Sequence, residues 1–84
     1  MDGRTPPRLA LIAKEVLMAR YYVNNNAQSN GDHEVHELGC SFMPSANREY
    51  LGDFSSCRPA VAEARKYHSR VNGCYYCARS CHTG

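Results

Sequence analysis

A chain of 84 residues with a formal net charge of +2 is one small domain, because folded chains this short bury a smaller fraction of their surface than longer ones do. With no Trp, two Phe and six Tyr, large side chains that need no polar partner are scarce, so the core is expected to be thin and to require a covalent or metal staple. The five cysteines offer that staple.

Residues 1–17 differ in texture from the rest, with Thr5-Pro6-Pro7 ahead of Leu9, Ile12, Ala13 and Val16. They are expected to be a disordered or weakly helical extension. Lys14-Glu15-Val16 is encodable by a purine-rich run resembling a bacterial ribosome-binding site, and Met18 follows at a suitable distance. Met18 is therefore expected to be the natural start. Lys14-Glu15 also cut the apolar run Leu9 to Ala13 well short of a secretory or membrane-spanning segment. No membrane partner is expected, and a cytoplasmic, reducing location is favoured.

Residues 18–84 read as a single α+β domain. Tyr21-Tyr22-Val23 is a β-favouring run, and the turn-forming residues Asn24 to Asp32 follow it. His33-Glu34-Val35-His36 reads as a second strand with His33 and His36 on opposite faces. After the breakers Gly39, Pro44, Ser45 and Asn47, Glu49 to Phe54 reads as a third. Ser55 or Ser56 caps a helix whose apolar stripe is Ala60, Val61, Ala64, Tyr67 and Val71, with Asn72-Gly73 as its stop. The expected architecture is a small antiparallel sheet of about three short strands with one helix on it, followed by a Cys-rich C-terminal tail.

Cys74-Tyr75-Tyr76-Cys77 can offer both sulfurs to one tetrahedral ion, because a tight turn brings them together and exposes amides to the thiolates. His36-Glu37-Leu38-Gly39-Cys40 supplies a second half-site. The expected metal site is His36, Cys40, Cys74 and Cys77, with Cys81 and His82 as alternates and structural zinc as the ion. An odd number of cysteines and the absence of an export signal weigh toward metal over disulfides.

With His36-x-x-x-Cys40, Tyr50 to Ser56 leading into Ala60 to Ala64, and Cys74-x-x-Cys77, the chain resembles the small zinc-binding domain of the DNA-repair protein Ada and its nuclease-associated relatives. Tyr22-Val23-Asn24 fits the strand before their first ligand. The resemblance spans about residues 21 to 77, with a longer spacing between half-sites. It implies a structural zinc at the four residues named. Methyl transfer is not implied, because His36 stands where Ada carries a zinc thiolate. Cys57, Cys81 and His82 lie outside the pattern, and they leave open alternative ligation or a Cys57 to Cys81 disulfide. Gly31-Asp32-His33-Glu34-Val35-His36, Gly73 to Cys77 and Cys81-His82-Thr83 also resemble a widespread group of small bacterial proteins, a likeness that implies no activity.

Enzymatic readings fail on spacing. His33-Glu34-Val35-His36 lacks the second His four residues after the first that a zinc-protease helix requires. Redox chemistry of the thioredoxin type wants its Cys pair at a helix N-terminus, whereas Cys74 follows the helix. His68 is read as a packing or surface residue. Charge is uneven along the chain: five acids between Asp32 and Asp53 oppose Arg48, whereas Arg58, Arg65, Lys66, Arg70 and Arg79 oppose Glu63. With Tyr75 and Tyr76 those five bases could meet nucleic acid or another partner, although a solvated helix face and rings packed over the metal are the simpler explanations. The expected function is a non-enzymatic, metal-stabilised binding module with no small-molecule substrate. The alternatives are a disulfide-stabilised structural or antigen-like protein and, third, a thiol redox or sensor protein.

Overall fold

The computed structural model describes residues 18–84; the N-terminal extension and the expected start at Met18 concern sequence outside or at the edge of that range. Strands β1 (Ala19–Asn24), β2 (His33–Glu37) and β3 (Arg48–Phe54) form where the β-favouring runs lie. Helix α1 (Cys57–Ala64) follows, then β4 (Val71–Gly73) and a 3-10 turn at Arg79–Cys81.

The sheet has the order β3-β1-β2-β4. Strand β1 pairs antiparallel with β2, Val23 opposite Val35, and with β3, Ala19 opposite Phe54. The sheet is nevertheless mixed, because β4 joins β2 in parallel with His33 opposite Val71. Helix α1 causes this. It carries the chain from the β3 edge to the opposite edge, and a parallel neighbour requires such a crossover.

The fourth strand lies where the sequence pattern places the end of the helix. Helix α1 stops at Ala64, with Arg65 as its C-cap, so Tyr67 and Val71 are not on its stripe. Three residues are too few to display a strand's period of two, and Asn72-Gly73 resembles a stop signal while serving as sheet. Asn72 is buried there, donating through Nδ2 to the Thr83 carbonyl at 2.9 Å and accepting the Thr83 amide at 2.9 Å. The cysteine-rich segment is thereby tied back to β4 and packed into the domain.

The core follows from two periodicities. Cys57, Ala60, Val61 and Ala64 repeat at i, i+3, i+4 and i+7 on one face of α1. They meet Tyr21 and Val23 of β1, Val35 of β2 and Leu51 of β3, and Cys74 and Ala78 close one end. The helix contributes mainly small side chains, so its axis can lie near the sheet, and little apolar area is available to stabilise the fold. Ser56 occupies the N-cap without a side-chain bond to the helix amides.

A disulfide joins Cys57, at the start of α1, to Cys81 in the 3-10 turn. Its Cα atoms are 6.3 Å apart across a sequence separation of 24. Constraint of that loop in the unfolded chain stabilises the fold by about 3.5 kcal/mol. The weighting toward metal over disulfides is corrected on this point: the Cys57–Cys81 bond, left open by the sequence, is formed, on cysteines other than the candidate metal ligands.

Candidate metal centre

His36 lies near the end of β2, in the row of side chains opposite Val35, yet it is only 1% exposed. Two turns close over it. The first begins at Glu37, whose carbonyl accepts the Cys40 amide at 3.0 Å. Gly39 has φ +98° there, a left-handed conformation that glycine adopts without strain. The second is Cys74 to Cys77, anchored by the Cys74 amide on the Val35 carbonyl and by the Ala78 amide on the Cys74 carbonyl, each at 2.9 Å.

Gly73 makes the second turn possible by lacking a side chain. A Cβ there would stand 2.7 Å from the Ala78 carbonyl oxygen and 2.8 Å from the Cys81 Cβ. The chain therefore folds back on β4 at a distance only glycine accepts.

These turns gather one ligand atom each from His36, Cys40, Cys74 and Cys77, all within 4.8 Å of one another, into a group that could hold a metal ion. The Cys40 and Cys74 sulfurs are 3.9 Å apart, and the Cys77 sulfur is 3.8 Å from His36 Nδ1. Backbone amides already point at the sulfurs: Glu37 donates to Cys77 Sγ at 3.2 Å and Tyr76 to Cys74 Sγ at 3.4 Å. Such donors favour the thiolate. The outer nitrogen of His36, Nε2, lies 3.2 Å from a Glu34 carboxylate oxygen, but without the alignment of a hydrogen bond. A carboxylate on that side favours a proton on Nε2, the tautomer that would leave the Nδ1 lone pair facing the sulfurs.

The electrostatics without a cation are adverse to ionisation. Burial pushes the Cys77 thiol well above the ordinary thiol range. Its hydrogen bonds with Cys40 and Cys74 and the nearby Cys74 charge push the same way, while the Glu37 amide opposes them. Burial likewise lowers the His36 imidazole below its ordinary value, with the Glu34 carboxylate acting in the other direction. The histidine is held neutral, as a metal ligand must be, and a divalent cation would reverse the penalty on the thiolates.

The alternate ligands are engaged elsewhere. Cys81 is in the disulfide, and His82 Nδ1 is bonded to the Gly73 carbonyl at 2.9 Å. His33 and His68 stack face to face with centroids 3.6 Å apart. His33 Nδ1 bonds to the Asn24 carbonyl and His68 Nε2 to the Asn25 side chain, which makes the pair a clamp on the Asn-rich loop.

The expected partner-binding residues meet different neighbours. Lys66 pairs with Glu63 at 3.0 Å, and Arg70 pairs with Asp32 at 3.3 Å beside Gly31. Arg58 and Arg65 line a separate groove. Arg79 sits 4.4 Å above the Tyr75 ring, and Tyr76 stacks on Phe42 at 4.1 Å. Three features escape a reading of the sequence: Glu34 beside His36, the amides of Glu37 and Tyr76, and the contribution of Phe42. Glu34 alone carried a signal, since it lies two residues before His36 on the same side of a strand. Comparisons with protein-family models, curated proteins and solved structures return no match.

Proposed function

We propose that this chain is a non-enzymatic binding module whose fold is stabilised by one structural zinc ion on His36, Cys40, Cys74 and Cys77. The observation that carries the reading is the convergence of those four ligand atoms within 4.8 Å. Zinc bonds of about 2.3 Å to sulfur and 2.0 Å to nitrogen, at tetrahedral angles, imply edges of about 3.8 Å between sulfurs and about 3.5 Å between sulfur and nitrogen. The separations of 3.9 Å and 3.8 Å support that geometry. A Cys₃His set favours zinc over hard cations, and four protein ligands leave no open position for substrate. The ion would tie the β1–β2 hairpin to the turn beyond β4, across a core with little apolar area.

The resemblance to the Ada-type zinc domain is consistent with this ligand order and is proposed with it. The partner-facing surface is proposed to be the aromatic cluster of Phe42, Tyr75 and Tyr76 with Arg79. Phe42 and Tyr76 are 56% and 65% exposed. Such surfaces stack on the bases of single-stranded nucleic acid, which is the partner class this reading favours.

Metal analysis of the native protein, purified without chelator, tests the first part. About one zinc per chain is expected, with loss of far-UV circular dichroism on chelation. Protein that folds fully while metal-free would refute it. Binding to a short oligothymidylate should weaken steeply with salt and fall in the Tyr76→Ala variant. Failure to bind at low salt would eliminate nucleic acid while leaving the zinc site intact.

A further inference from the structure

We propose that the groove between α1 and the C-terminal 3-10 turn is a phosphate-binding site, separate from the metal centre. The groove encloses about 310 Å³ and is lined by Arg58, Val61, Arg65, Ser80, Cys81 and Thr83. Its two walls are latched together at the Cys57–Cys81 disulfide.

The helix sets the charge. Arg58 and Arg65 are seven residues apart, hence on one face and about 10 Å apart along the axis. Two long side chains starting from those points can converge on a single group between them. Val61, nearly buried, lies between the arginines on the same wall. The Ser80 hydroxyl stands on the opposite wall; among the described residues its one partner is the Cys57 sulfur at 3.4 Å.

Among the described residues, Arg58 and Arg65 differ from the other arginines and the lysine in having no ion pair and no ring contact. Among the described residues, Arg20 is near Asp53, Lys66 pairs with Glu63 and Arg70 with Asp32. Arg48 lies over Tyr22 and Arg79 over Tyr75. Neither Arg58 nor Arg65 makes an ion pair or a ring contact among the described residues, and no carboxylate lines their groove. Two cations of one sign beside an apolar wall concentrate positive potential in a concave space.

The chemistry favours phosphate over carboxylate. One guanidinium fork satisfies a carboxylate, whereas a phosphate offers enough oxygens to take two forks and a hydroxyl from the facing wall. The volume lies at the lower end for small-molecule sites, so the groove takes the phosphate and a few atoms of the group that carries it. Free phosphate esters and the phosphodiesters of a nucleic-acid strand share that chemistry.

The test is an amide and arginine side-chain NMR titration of the oxidised, metal-loaded protein at constant ionic strength. One arm uses inorganic phosphate and the other a five-nucleotide oligothymidylate without terminal phosphate. Saturable shifts are expected at Arg58, Val61, Arg65, Ser80 and Thr83, with affinity reduced at least about tenfold in R58Q/R65Q. These substitutions are at exposed positions, and the unchanged spectrum of the remaining residues verifies the fold. Groove shifts with both probes assign the site to phosphodiesters and esters alike; groove shifts with inorganic phosphate alone assign it to free phosphate esters. Phosphate binding undiminished in R58Q/R65Q, shifts reproduced by chloride, or shifts centred away from the groove would overturn the proposal.

Discussion

The disulfide and the proposed zinc would act on one thin core, and their magnitudes predict which removal is tolerated. A folded segment of 67 residues, 18 to 84, has a net stability of about 3 to 10 kcal/mol at ordinary values per residue. Structural zinc contributes on the order of 10 kcal/mol or more of binding free energy at neutral pH, at least the whole of that margin. The disulfide closes a loop of sequence separation 24 and contributes about 3.5 kcal/mol. Chelation of the oxidised protein is therefore expected to unfold it without denaturant. The metal-loaded C57S/C81S variant should stay folded, with its urea midpoint lowered by about 3.5 M for a slope of about 1 kcal/mol per M. Far-UV circular dichroism across urea, for wild type and variant with and without chelator, measures both effects. If the variant unfolds while the chelated wild type persists, the ranking is wrong and the disulfide is the principal staple.

Gly73→Ala should destabilise by more than 2 kcal/mol in the same urea experiment, because its methyl would meet the Ala78 carbonyl oxygen at 2.7 Å on backbone that cannot withdraw. Val35→Ala, at a position with no exposure, should cost about 2 kcal/mol through lost transfer energy and the remaining cavity. Zinc affinity, followed by competition with a chromophoric chelator, should rise with pH by more than tenfold per unit between pH 6 and 7, because burial holds the Cys77 thiol protonated and the ion must displace protons. Burial first, and then the charge of stacked His33, lowers the proton affinity of His68. Its folded value lies below the unfolded one, so the stability it contributes is present above about pH 6.5 and is lost as pH falls through the folded value. The ring-proton titration of His68 by NMR should have a midpoint below the ordinary histidine value, and His33→Ala should move it upward.

How much of this arrangement was legible depended on whether a residue's role is set by its near neighbours or by remote ones. Strands β1 to β3 and the start of α1 were visible because their patterns are local: a β-branched and aromatic run, a turn cluster, a cap before Pro59. The candidate group of His36, Cys40, Cys74 and Cys77 was visible because each half is a short turn, His36 to Cys40 and Cys74 to Cys77. Strand β4 was hidden, since its three residues become sheet only through pairing with β2. The Cys57–Cys81 bond could be raised only as an alternative, because α1 and the crossover bring those residues together across 24 positions. The weighting toward metal over disulfides rested partly on a cysteine count, which cannot show that the cysteines separate into two sets.

That separation has a structural basis, and it bears on what the cysteines can do. Cys57 and Cys81 are fixed by α1 and the 3-10 turn, whereas Cys40, Cys74 and Cys77 are drawn together around His36. Thiolates committed to a metal are poor partners for disulfide exchange, because the ion competes for the electron pair that attacks sulfur. The metal would thus protect the pairing of Cys57 with Cys81 during folding by withdrawing the three competing thiols. Refolding of the reduced protein tests this directly. With zinc present, mass analysis after alkylation should find three thiols free once the metal is removed, and peptide mapping should find one bond, between Cys57 and Cys81. Without zinc, mixed pairings that include Cys40, Cys74 or Cys77 should appear. Equal fidelity in both conditions would mean that the fold alone, rather than the ion, selects the disulfide.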